Sequence, residues 1–92
     1  MQSSSNHSSK QECVEQFRKR TKKLALDTIR FSRSLPRTEE ANIMKRQLLR
    51  SATSVGANYS AACGAISAAE FFAKISIVIE EADETLYWLE IL

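Results

Sequence analysis

The sequence predicts an all-α fold, an antiparallel up-down bundle of three long helices. Three observations carry that expectation. The 92 residues include only two Gly and one Pro, so the chain has few places to turn. Apolar residues recur at helical spacing in three successive blocks. Stop and start signals separate the blocks: Pro36 precedes Thr38, and Gly64 precedes Ser67.

The first helix is expected at about residues 11–34. At about 100° per residue, Cys13, Phe17, Leu24, Thr28, Phe31 and Leu35 share its core face. Arg18, Lys19, Lys22, Lys23, Arg30 and Arg33 lie broadly opposite, and Leu26 projects among them. The helix must stop before Pro36, because a proline pushes the residue ahead of it out of the helical region. Residues 1–10 are almost wholly polar and are expected to form a disordered tail, leaving 11–92 as one helical domain.

The second helix is expected at about 39–63. Thr38 can accept a hydrogen bond from an unpaired first-turn N–H, and Glu39 and Glu40 complement the positive end of the dipole. Ala41, Met44, Leu48, Ala52, Val55, Tyr59, Ala62 and Ile66 make one face; Arg46, Arg50, Thr53, Ala57 and Ser60 make the other. From Ser51 to Ala65 nearly every side chain is small, which lets neighbouring helices approach closely. Asn58 sits at the edge of the core face, where it could bond across helices and set their register. Gly64 suits the C-terminal cap.

The third helix is expected at about 68–92, opened by a Ser67/Glu70 capping box. Phe71, Ile75, Val78, Ile79, Ala82, Leu86 and Leu89 form its expected core face. A second apolar stripe, Ala73, Ile77, Trp88 and Ile91, runs roughly opposite beside Glu80, Glu81 and Glu84. A helix apolar on two sides is buried on two sides. Leu26, Ile77, Glu81, Glu84, Trp88 and Ile91 are therefore candidate interface residues, with Trp88 as the anchor.

Composition and charge narrow the function. The chain is 43% hydrophobic and 26% charged, a balance that supports a packed core and argues against disorder. Residues 1–50 hold 12 Lys/Arg against 5 Asp/Glu, whereas residues 51–92 hold one Lys against 6 acids. One molecule thus carries a basic and an acidic surface. No apolar run reaches the roughly 18 residues of a membrane span, and the polar N-terminus is not a secretory signal. Cys13 and Cys63 lie in no CxxC or CxxH context and read as free thiols of a cytoplasmic protein. The one histidine, His7, sits in the expected tail, so no metal or other cofactor is expected. Ser51 and Ser54 have no base partner. The acids Glu80, Glu81, Asp83 and Glu84 have no companion histidine in the folded region, so no catalytic residue is expected.

Two stretches add a family. Arg50-Ser51-Ala52-Thr53-Ser54-Val55-Gly56-Ala57-Asn58 resembles the signature of the bacterial four-helix bundle proteins, also called 23S rRNA intervening-sequence proteins. Ala69-Glu70-Phe71 and the segment from Glu80 to Glu90 resemble that family's third helix, and the likeness covers roughly Phe17 to Leu92. It implies an up-down-up-down bundle, a ring-like homo-oligomer, commonly a pentamer, and no known catalysis. Relatives encoded by inserts in ribosomal RNA genes imply an RNA connection. Related accessory proteins of retroelements partner a reverse transcriptase and nucleic acid. Against the family pattern, this chain is expected to lack the fourth helix, and Ala61 to Ala68 carries none of the charges usual there.

The expected function is therefore a non-enzymatic oligomeric scaffold with no small-molecule substrate and no membrane partner. It would hold RNA, or an RNA-associated protein, through Arg18, Lys19, Lys22, Lys23, Arg30, Arg33, Arg46 and Arg50. The alternative is a protein-only interaction module whose bundle is completed by a partner helix.

Overall fold

The computed structural model describes the backbone of residues 2–92 and the side chains from residue 11 onward. Three helices follow one another, α1 (Gln2–Arg33), α2 (Glu39–Cys63) and α3 (Ala68–Ile91). The first begins at Gln2 and not at Gln11, so the expected tail is drawn into helix; no Gly or Pro in that stretch interrupts the pattern. The side chains there, His7 among them, lie outside the described residues.

The helix ends follow their signals. Ser34 N–H and Leu35 N–H close on the Phe31 and Ser32 carbonyls ahead of Pro36. The Thr38 side chain accepts from Ala41 N–H at 3.1 Å, and Ser67 Oγ accepts from Glu70 N–H at 3.1 Å. Glu70 completes the box one residue early, accepting from Ile66 N–H at 3.3 Å. Gly64 caps α2 with φ −93°, so its special freedom is unused there.

α1 and α3 pack on the two flanks of α2 and do not contact each other among the described residues. Leu48, Ala52 and Val55 lie in the angle between them, with Leu48 and Ala52 fully buried. The 32-residue α1 alone spans about 48 Å, and the molecule measures 58 × 24 × 18 Å. Its radius of gyration is 16.0 Å, against roughly 12 Å for a compact globule of this length.

The face that α1 turns to α2 is shifted from the expected one, of which Thr28 stays buried and Leu24 and Leu35 half-buried. The buried residues are Thr21, Thr28 and Ser32, each of whose hydroxyls donates to a carbonyl of α1 itself. Phe17 and Phe31 are half exposed at the edge of this contact, with the Phe17 ring 5.2 Å from that of Tyr59. Small side chains win the contact because they let two helix backbones approach: a Cβ added to Gly56 would lie 3.4 Å from the Thr21 carbonyl oxygen.

α3 is likewise rotated from its expected seat. Val78, expected in the core, and Thr85 are the buried residues; Lys74, Glu81, Glu84 and Trp88 are half-buried, as is Ile75 of the expected face. Ile79 and Leu86, expected in the core, are 58% and 56% exposed. The reason is again size: Thr85 meets Ser51 in a buried contact, its Oγ1 3.0 Å from Ser51 Oγ and 2.8 Å from the Glu81 carbonyl. Ser51 in turn donates to the Leu48 carbonyl, so the contact leaves no orphan polar group. Ile66, placed on the α2 core face by spacing, falls beyond the end of that helix and is 94% exposed.

Candidate nucleic-acid interface

The side of α2 away from the buried angle brings the two charge sets of the sequence together. On the α3 flank, Arg50 reaches across the helix pair. Its Nη1 donates to Glu81 Oε2 at 2.9 Å and its Nη2 to Glu84 Oε2. The same Glu84 oxygen accepts from the Trp88 indole N–H at 3.1 Å. That indole bond, followed by the one from Arg50, holds the Glu84 carboxyl below its ordinary range, while the pair with Glu84 raises the Arg50 guanidinium. Arg50 is therefore an intramolecular clamp and leaves the nucleic-acid candidate set. Glu81, Glu84 and Trp88, expected from the sequence to face another subunit, face α2 of their own chain.

On the α1 flank the cations are distributed differently. Arg18 pairs with Glu15 at 3.1 Å, and Lys23 and Arg30 share Asp27 at 2.6 and 4.0 Å. These pairs are exposed and weak, so they screen charge more than they hold structure. Lys19, Lys22, Arg33 and Arg46 are exposed and make no ion pair among the described residues. Helical spacing puts Arg33 three turns beyond Lys22 on one side of α1, and Arg46 two turns before Thr53 on one side of α2. Part of the unneutralised charge therefore runs along the outer seam of α1 and α2; Arg20, Arg37, Lys45 and Lys74 also make no ion pair among the described residues, and Arg20 lies over the Phe17 ring at 5.5 Å.

That seam is recessed. A groove of about 480 Å³ lies between the helices, its floor supplied by Thr53, Gly56, Ala57 and Ser60 of α2 and its wall by Arg18, Lys19 and Lys22 of α1. The sequence places Thr53, Ala57 and Ser60 on the face of α2 away from its core, but not the α1 side chains that make that face one side of a groove.

Three further sites resolve simply. Asn58 Nδ2 donates to the Ser54 carbonyl and to Ser54 Oγ, both at 2.9 Å, so it bonds within α2 and not across to a neighbouring helix. Leu26, Ile77 and Ile91 are 46%, 37% and 48% exposed and remain open surface. Tyr59 stacks on Phe17 at 5.2 Å, and burial followed by the neighbouring Cys63 thiol pushes its hydroxyl pKa up. No cluster of three His, Cys, Asp or Glu side chains able to hold a metal occurs among the described residues, and no helix there is long and apolar enough to cross a membrane.

Comparison with known proteins bears on this geometry. The sequence model of a family described as 23S rRNA-intervening sequence protein matches residues 11–92. A crystal structure of a protein of unknown function from the S23 ribosomal protein family of Bacteroides thetaiotaomicron superposes with a TM-score of 0.78 at 35% identity. The match covers 86% of this chain and 70% of that one. Comparison with curated proteins finds no match.

Proposed function

The chain belongs to the 23S rRNA-intervening sequence protein family, and on that premise we propose that it is a non-enzymatic, oligomeric helical scaffold of the bacterial cytoplasm that holds RNA, or an RNA-associated protein, on the outer seam of α1 and α2. The observation that supports this most is the line of cations without acid partners, Lys19, Lys22, Arg33 and Arg46, on two adjacent helices. Cations left unpaired on a protein surface are free to replace the counterions condensed on phosphates, and that exchange makes affinity fall with salt. No aromatic ring lines the groove among the described residues, so the binding is expected to be indifferent to base sequence.

The test is a salt titration of labelled ribosomal RNA fragments by fluorescence anisotropy. Reversing Lys19 and Lys22 to Glu should weaken binding alike for unrelated sequences. It should also lower the slope of log affinity against log salt, by roughly 0.7 for each single-strand phosphate that the variant no longer neutralises. Wild-type protein with no affinity for RNA at low salt would overturn the reading.

The second reading, a protein-only module, has its own observation. Phe17 and Phe31 of α1 and Ile79 and Leu86 of α3 are all substantially exposed. A partner helix or a second copy of the chain laid over them would complete the bundle. An assembly that forms normally and ignores RNA would favour this alternative.

A further inference from the structure

We propose that the groove between α1 and α2 is the seat of a single-stranded RNA backbone, with the phosphates turned inward onto Lys19 and Lys22 and the bases turned out. This rests on the reading of the seam as an RNA surface and says which form of RNA it takes and how. Three features of the groove carry it.

The first is depth. Thr53, Ala57 and Ser60 are small, so a space of about 480 Å³ lies between them and the α1 side chains, whereas Gly56 is taken up by the close approach of Thr21. A single sugar-phosphate chain can enter a recess of that kind. A duplex is a broad cylinder and reaches only the rim, where Lys19, Lys22, Arg33 and Arg46 would touch it without the floor.

The second is chemistry. Lys19 and Lys22, one helical turn apart, supply ammonium groups free of acid partners. Ser60 is exposed and has no partner for its hydroxyl among the described hydrogen bonds, so it can donate to a phosphate oxygen. Thr53 spends its proton on the Leu49 and Arg50 carbonyls, at 2.7 and 3.1 Å, which leaves an oxygen able to accept from a ribose 2′-hydroxyl.

The third is polarity along the groove. Glu15 lies at the wall and already engages Arg18. A carboxylate there repels a phosphate, so the strand is held beside Lys19 and Lys22 and continues along the seam toward Arg33 and Arg46. The lack of stacking rings in the groove means that the bases contribute little, in contrast to single-strand binders that stack bases on aromatics.

The decisive variant fills the floor and keeps every charge. Ala57 is exposed, so Ala57→Met should leave the fold intact, which circular dichroism checks, while its side chain occupies the groove. The probe is a labelled uridine homopolymer, compared with an RNA duplex of equal length. Wild type should prefer the single strand, and Ala57→Met should weaken single-strand binding by about tenfold or more while leaving duplex binding within about twofold. If wild type binds RNA but Ala57→Met binds the single strand equally well, or if wild type takes the duplex as readily, the groove proposal falls and the broader seam reading stands. If wild type binds neither RNA, both fall.

Discussion

Gly56 shows how one missing side chain sets the distance between two helices. It lies in the middle of α2, where glycine costs about 0.5–1 kcal/mol relative to alanine through lost backbone entropy. An added Cβ would meet the Thr21 carbonyl oxygen at 3.4 Å, an ordinary contact with no room beyond it. Gly56→Ala is therefore expected to be neutral or to raise stability by up to about 1 kcal/mol. Gly56→Val is expected to destabilise by about 1–3 kcal/mol, because its branches would have to displace the α1 backbone. Urea midpoints of the two variants against wild type test this, and a large loss of stability for the alanine would show that the two helices have no space for a methyl group. That some small residue was needed here was legible in the run from Ser51 to Ala65. Which neighbour it touched was not, because spacing on one helix says nothing of the backbone lying across it. Asn58 marks the same boundary: its place at the edge of the core face could be read from the sequence, but not that its amide bonds to Ser54 of its own helix.

At the scale of the elements, the boundaries were the legible part. Thr38, Ser67, Pro36 and Gly64 end and begin helices where local chemistry demands it, within a residue or two for α2 and α3. The rotation of each helix was not legible, since α3 is apolar on two sides and either side satisfies the periodicity. The contact with α2 was decided by the Ser51–Thr85 pair and by the clamp of Arg50 on Glu81 and Glu84. That clamp has a pH signature. The Trp88 indole and Arg50 lower the Glu84 pKa in the folded protein, so over the acid range the unfolded chain binds more protons than the folded one. The contribution of Glu84 is then complete above the ordinary glutamate range and is lost as pH falls through it toward the lowered folded value. Glu84→Gln should flatten this part of the stability profile while leaving the profile at alkaline pH unchanged in shape. Urea denaturation of both proteins at a series of acid pH values measures it; parallel losses in wild type and variant would mean that the clamp does not stabilise the ionised form.

Across the whole molecule, the exposed surface has two characters. The outer side is polar, with the cationic seam and the Arg50 clamp. Phe17 and Phe31 of α1 and Ile79 and Leu86 of α3 are between 39% and 58% exposed. Scattered exposed apolar residues are ordinary, and these four act as an interaction strip only if a second copy or a partner covers them. Its effect on stability can be separated from its effect on assembly at Ile79 and Leu86, which are more than half exposed, whereas Phe17 packs against Tyr59 of α2. Replacing Ile79 and Leu86 together by Glu and Lys should cost the isolated chain little, since surface changes away from buried partners are usually worth about 0.5 kcal/mol or less each. If a second copy covers the strip, the same change should abolish self-association and remove any rise of melting temperature with protein concentration, because association stabilises by mass action. Analytical ultracentrifugation and thermal melts over a wide concentration range distinguish the cases. A wild type whose mass and melting temperature do not vary with concentration, matched by the double variant, would show that no second copy covers these residues. An assembly unaffected by the double variant would instead move the subunit contact to Leu26, Ile77 and Ile91, which lie off the strip and remain exposed in the chain alone.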